Sequence, residues 1–371
     1  MRETQPDESI GGDLNKNGDL RPSRRNLDRH LLTSSHKIRR QMQVLSQNMA
    51  YSAFHPGFIK SHLAQKTRQE NLILITHSQS LHSIANIKDD DTVVSRKLEL
   101  PDLWAEVVGS CDGLVLFINA DDEVILVNPI TLQQVKIPTS PLAFERSESF
   151  TMHAIGYDSL RDDYKVVVLS YLETYNGSRP SYLDTFVDVY SVKTGVWKRI
   201  GISPYPFADL DFAYGVFVNE AIHWLSMNSK LDCPYVVIAA FDLANEVFFE
   251  IPAPRGIDVG KFLFKKLVVL GGCLCVVDTS SYSGVDVWIM KEYNVSESWT
   301  KFSMYFDQCI FKPLCFVGDD EVVSVVEGPR LVVFNLKDGT SRDLVVNGVP
   351  ALFTDGCIFV ESLVSPAFCG N

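Results

Sequence analysis

The sequence predicts an all-β protein, a β-propeller of six four-stranded blades behind a disordered or short helical N-terminal segment. Three observations carry this. From Asn71 onward, short apolar runs are punctuated by Gly, Asp, Asn and Pro, with no long amphipathic helix among them. One unit recurs five times: an aliphatic run, a polar turn, and a second run ending in a bulky residue. Its register marks Asn128, Tyr190, Phe241, Trp288 and Phe334 are spaced by 62, 51, 47 and 46 residues. Periods of that size are those of propeller blades.

Residues 1–52 form a basic, polar leader, expected to be largely disordered, in which only 30–49 has helical periodicity. Its cluster Arg21, Arg24, Arg25, Arg29, Lys37, Arg39 and Arg40 reads as a solvated arm rather than a nucleic-acid contact. In residues 53–70 a short helix over 56–63 would put Phe58, Ile59, His62 and Leu63 on one face. Residues 71–366 hold the blades and 367–371 a tail.

The five units pair 124–129 with 135–138, 187–190 with 197–200, 238–243 with 248–252, 285–290 with 299–302, and 331–336 with 342–344. Ahead of each is an inner-strand candidate, at 113–117, 164–169, 221–225, 273–277 and 321–326. A lone blade cannot bury both of its faces, so the blades must stack into a ring. The unassigned strands 71–76 and 357–363, from opposite ends of the region, are expected to make the sixth blade and close it.

Composition bounds the function. Hydrophobic residues make up 46% and charged ones 22%, as in an ordinary globular protein. No apolar run approaches the roughly 18 residues of a membrane span, and the N-terminus has no apolar signal region, so a cytoplasmic or nuclear location and no membrane partner are expected. Residues 1–100 carry 15 Lys/Arg against 11 Asp/Glu, while the whole chain is at −12. The remaining body is therefore acidic, which argues against nucleic acid as the main partner. The eight cysteines sit mostly in apolar runs and read as buried thiols. Cys273-x-Cys275 has the wrong spacing for zinc.

Individual residues read as structural. Gly109, Gly113, Gly271 and Gly272 suit turns or bulges that a Cβ would obstruct. Asn128-Pro129 and Asp158-Ser159 are turn formers. Trp197, Trp224, Trp288 and Trp299 are expected between blades, each indole N–H needing a partner. Asp162-Asp163 fits a solvated turn better than a metal site, and His223 beside Trp224 a satisfied core histidine better than a catalytic one. No phosphate loop, nucleophile elbow or sialidase-type box is present. The expectation is a non-catalytic chain without cofactor or metal.

Four further stretches carry a resemblance. Val108-Gly109-Ser110-Cys111-Asp112-Gly113-Leu114-Val115 with Val127-Asn128-Pro129-Ile130-Thr131 resembles the opening of the F-box-associated (type 1) domain of plant F-box proteins. Ile155-Gly156-Tyr157-Asp158-Ser159 with Asp162-Asp163-Tyr164-Lys165-Val166-Val167, and Asn219-Glu220-Ala221-Ile222-His223-Trp224-Leu225, are similar to its next segments. Val285-Asp286-Val287-Trp288-Ile289-Met290-Lys291-Glu292-Tyr293 with Glu297-Ser298-Trp299-Thr300-Lys301 resembles a later one. Within the family the chain is most similar to the constitutive-expresser-of-pathogenesis type, with S-locus F-box proteins more distant.

The resemblance implies a kelch-like propeller that recognises a protein substrate for an SCF-type ubiquitin ligase, with transfer done by other subunits. It also implies docking on a Skp-type linker through an F-box. Only residues 54–63 resemble that motif, at its tail, which makes Phe58, Ile59, His62 and Leu63 the candidate docking residues. The F-box start has no counterpart in residues 1–50, so linker docking stays open, and a truncated isoform or a misassigned first exon would account for the difference. The alternatives are a decoupled binding propeller, lectin-like or acting as a dominant-negative adaptor, and behind it a propeller enzyme. Candidate target contacts are Tyr175, Arg179 and Tyr182 in the insertion 173–184, and Tyr205 in 205–211, because Tyr and Arg are enriched at interaction hot spots.

Overall fold

In the computed structural model, the described residues are 70–367 except 86, 88–91, 142–148, 177–178, 183, 206–213, 229–234, 258–264, 282–283, 306–310, 318–319, 327–329 and 350–352. They form six sheets arranged as blades, antiparallel except for one added strand. The first blade is β4 (Trp104–Cys111), β5 (Leu114–Asn119), β6 (Val124–Asn128) and β7 (Gln133–Lys136). The second is β8 (Ser149–Asp158), β9 (Asp163–Asn176), β11 (Phe186–Ser191) and β12 (Val196–Ile202), with β10 (Arg179–Tyr182) added to the far part of β9. The third is β13 (Val216–Val218), β14 (Ala221–Asn228), β15 (Tyr235–Asp242) and β16 (Val247–Ile251). The fourth is β17 (Lys265–Leu270), β18 (Cys273–Ser281), β19 (Gly284–Met290) and β20 (Trp299–Met304). The fifth is β21 (Phe311–Val317), β22 (Glu321–Val326), β23 (Arg330–Asn335) and β24 (Ser341–Asp343).

The sixth blade joins the two ends of the domain, as the unassigned strands require. Its order is β25 (Val345–Asn347), β3 (Thr92–Lys97), β2 (Leu81–Ile84), β1 (Glu70–Thr76) and β26 (Phe353–Val360). β1 and β26 run antiparallel, pairing Leu72 with Ile358 and Leu74 with Gly356. Gly356 is required there, since a Cβ would fall 2.7 Å from the Leu74 side chain and 2.9 Å from the Ile73 carbonyl. β25 adds in parallel to β3 and is an element the sequence pattern does not announce.

The inner-strand expectation needs correcting by one strand. The apolar runs at 113–117, 164–169, 221–225, 273–277 and 321–326 are the second strands of their blades, paired on both sides. A strand with partners on both edges and blades on both faces reads as a continuous apolar run. The innermost strands are β4, β8, β13, β17, β21 and β26. One edge of each faces the central channel, so they tolerate polar residues such as Glu106, Lys266 and Asp355, and their apolar pattern is diluted.

Six apolar clusters, one between each pair of neighbouring blades, make the core. Leu116, Val166 and Tyr190 join the first and second blades, and Val167, Trp224 and Phe241 the second and third. Ile238, Val276 and Met290 follow, then Val287, Phe311 and Phe334, then Leu72, Val323 and Leu331. Ile73, Trp104, Phe117 and Phe359 complete the ring between the sixth and first.

The blades share one turn chemistry. The last residue of the third strand, Asn128, Asp242 or Asn335, accepts backbone N–H groups two and three residues on through its side chain. Four residues after that position the chain is left-handed, at Leu132, Glu246 and Gly339, and likewise at Gly195 and Asn294 in the second and fourth blades. Asn128 also donates through Nδ2 to the carbonyls of Ser362 and Val364, tying the C-terminal segment to the first blade.

The recurring Ile-Pro after the fourth strand has a physical role. Trp197 Nε1 donates to the Pro138 carbonyl at 2.8 Å, and Trp299 Nε1 to the Pro252 carbonyl at 2.9 Å. Each bond links the outer strand of one blade to the exit of the blade before it. Trp224 is buried between blades, and Trp288 packs at the third–fourth interface with the Lys301 ammonium 5.4 Å from its ring centre. Gly113 and Gly271 are left-handed and crowded, but a Cβ on Gly109 or Gly272 would meet nothing within 4 Å. Gly109 is at a register shift without a left-handed backbone, so the expected obstruction does not hold there.

Asp162-Asp163 is only half the solvated turn expected. Asp162 is left-handed at the β8–β9 turn and accepts from the Tyr157 hydroxyl. Asp163 is buried, accepting from Ser191 Oγ at 2.6 Å and Lys193 N at 2.9 Å. Beside it, buried Lys165 joins Asp158 (2.8 Å) to Glu246 (3.3 Å) and the Leu243 carbonyl (2.7 Å) of the third blade. Burial opposes the Asp158 charge, but Lys165 and Arg161 outweigh it and hold its carboxyl below the ordinary value. The conspicuous charged motif is an inter-blade clamp.

Trp197→Phe and Trp299→Phe should each cost about 1 kcal/mol, the worth of one hydrogen bond at a half-buried position. Because the two bonds lie at different interfaces, the double variant should lose the sum. Urea unfolding of the four proteins checks both points.

Candidate functional site

The two faces of the ring differ. On the turn face, first and second strands connect through Asp112-Gly113, Asn219-Glu220 and Gly271-Gly272, with both residues left-handed in each. Such two-residue turns match strand twist and leave little chain to vary. At the opposite, loop face each blade's fourth strand ends and the next blade's first begins, with 12 residues separating β7 from β8 and 13 each separating β12 from β13 and β16 from β17. Long connections on a rigid frame are where recognition surfaces are built.

The insertion 173–184 is not a loop throughout. β9 runs to Asn176 and β10 returns from Arg179, pairing Arg179 with Asn176 and Tyr182 with Glu173. Tyr175, Arg179 and Tyr182 therefore stand on a hairpin that extends the second blade on the loop face. Tyr205 follows β12 on that face, but its ring is partly buried between the second and third blades, 6.1 Å from Phe248. It is more an interface residue than a free contact. Phe58, Ile59, His62 and Leu63 lie outside the described residues.

A channel of about 1200 Å³ runs between the six innermost strands. Each of these strands starts at the loop face, and its first residues line the mouth there. Lys266 of β17, Lys312 of β21, Asp355 of β26 and Glu106 of β4 come from four consecutive blades, so one side of the mouth is cationic and the next anionic. Phe150 and Tyr171 of the second blade and Tyr214 beside the third make the remaining arc. Phe150 is 45% exposed and stacked on Tyr171 with centroids 5.5 Å apart.

The charges are coupled. Lys312 Nζ is 2.7 Å from Asp355 Oδ1, while Asp355 Oδ2 accepts from the Val107 amide of the first blade at 2.9 Å. Burial alone would lower the Lys312 ammonium, but Asp355 more than offsets it and keeps the group cationic. Burial and the neighbouring Lys312 lower Lys266. Burial, then Asp355 and Asp122, raise Glu106. Deeper in the channel, burial pushes the Cys357 thiol up to about 12, so no thiolate is offered.

His223 is fully buried, its Nε2 2.8 Å from the Tyr293 hydroxyl, and burial drives it down to about 4. It is the neutral core histidine its sequence context suggests. Among the described residues, no group of three or more His, Cys, Asp and Glu is placed to hold a metal. Sequence reading missed the mouth altogether. The available signal was the polar residues interrupting otherwise apolar strand runs, as in Lys265-Lys266-Leu267-Val268-Val269.

Comparison with known proteins bears on this geometry. Residues 70–365 match the F-box associated beta propeller domain. The chain is 29% identical over 350 residues to F-box protein CPR1 of Arabidopsis thaliana, covering 87% of this chain and 83% of that protein. It is 28% identical over 274 residues to F-box protein At4g22390 of the same plant, covering 70% and 67%. Among solved structures, the Aleuria aurantia lectin AAL superposes with a TM-score of 0.43 at 10% identity, over 76% of this chain and 94% of that one.

Since the mouth raises Glu106, its ionisation is a cost of folding that is absent below the ordinary value of 4.5 and present in full above the raised one. Glu106→Gln should therefore raise the thermal midpoint at pH 7 and leave it unchanged at pH 4. Scanning calorimetry at both pH values checks the difference.

Proposed function

Because the chain belongs to the F-box associated beta propeller domain family, we propose that it is a non-catalytic substrate-recognition subunit of an SCF-type ubiquitin ligase. The match over residues 70–365 carries this reading. In it, the loop face holds a protein target, with the β9–β10 hairpin and the channel mouth as its contact regions. Rigid blades hold that surface still, and ubiquitin transfer belongs to other subunits.

Docking on a Skp-type linker is assigned to residues 54–63, with Phe58, Ile59, His62 and Leu63 as the contact face. The similarity to F-box protein CPR1 supports looking there, because its 87% coverage exceeds the roughly four fifths of the chain that residues 70–371 make up. A cytoplasmic or nuclear location goes with this role, and free thiols at Cys111, Cys273, Cys275, Cys315 and Cys357 accord with a reducing compartment.

Affinity capture of the full-length chain with a purified Skp-type linker tests the assignment. Wild type should retain the linker, and the combined substitution of Phe58, Ile59, His62 and Leu63 by Ala should cut retention at least tenfold with an unchanged propeller melting point. Failure of wild type to retain any linker would remove ligase coupling from the reading.

A further inference from the structure

The channel mouth offers three different chemistries within one opening. The Lys266 side chain makes no ion pair or hydrogen bond among the described residues, and its ammonium is within electrostatic reach of Lys312 on the adjoining blade. The Glu106 carboxylate likewise has no partner among the described residues and is repelled by Asp355. Phe150 presents an exposed ring, backed by Tyr171, on the arc where the described lining residues carry no charge. A second lysine lining the channel, Lys265, is already spent, buried at 3.1 Å from Asp278 within its own blade.

These groups restrict what can enter. A polyanion would meet Glu106 and Asp355, a cation would meet two ammonium groups, and a wholly apolar group would strip water from all four charges without replacing it. A ligand that joins a carboxylate, an N–H donor and an apolar side chain at one atom satisfies every arc. The terminal residue of a polypeptide is such a group.

We propose that the loop-face mouth of the channel binds the free C-terminal residue of a target polypeptide ending in an aromatic or large aliphatic side chain. Lys266 and Lys312 take the α-carboxylate, which also relieves the repulsion between them. Glu106 and Asp355 face the terminal amide N–H. The side chain lies against Phe150 and Tyr214. This names the class of target for the recognition surface above and rests on that reading.

The test is fluorescence polarisation with the full chain and a dye-labelled decapeptide pool, random inside and ending in Phe, as the free acid and as the C-terminal amide. The acid pool should bind at least tenfold more tightly than the amide, the scale of a charge-assisted contact. Lys266→Ala should erase most of that difference without changing the melting point, Lys266→Arg should restore it, and Phe150→Ala should weaken the acid severalfold. Equal binding of acid and amide, or binding of neither, overturns the proposal. N-acetylphenylalanine competing as well as the peptide pool would also overturn it, making the ligand a free small acid. Linker capture is measured separately, so a chain that retains the linker but ignores both pools loses this inference alone.

Discussion

Closure of the ring by β1 against β26 is the constraint on which everything else rests. A four-stranded blade exposes two apolar faces, and five blades stacked in an arc would leave two of them open. The sixth blade removes both at once, because its strands come from the two ends of the domain. Leu72 and Leu74 then face the fifth blade while Ile73 and Ile75 face the first, so one strand with alternating sides seals two interfaces. Its partner β26 shares the burden, with Phe353 facing the fifth blade and Phe359 the first.

The same closure builds the channel mouth. Asp355 is on β26, and it reaches Lys312 on the fifth blade and the Val107 amide on the first. The innermost edges are unpaired strands, a liability in water. Here the edges are managed by side chains from the neighbouring blade, as where Ser110 Oγ donates to the Ile358 carbonyl at 2.6 Å. Asp355 thus stands at the channel as the partner of a backbone edge, and recognition chemistry can be laid over that role.

The blades were legible because the second and third strands are packed on both faces and read as runs such as Leu114-Val115-Leu116-Phe117. The turn residues were legible too, as Asn128 and Asp158 show. What was hidden is what the ring brings together. Val107 and Asp355 are 248 positions apart, and no spacing rule connects them. First strands were misplaced for a related reason, since a channel-facing strand loses the alternation that marks a half-buried one. Asp163 read as part of a solvated turn, because its burial depends on Ser191 and Lys193, 28 and 30 positions away, and not on the local pattern.

Native-state hydrogen exchange on β1 and β26 addresses the central claim most directly, since exchange resolves the free energy at which each element opens. If closure holds the ring together, their amides should exchange only through the global opening that also releases β5, β14 and β18. Exchange of β1 and β26 at a lower free energy, with the other blades still protected, would contradict the account.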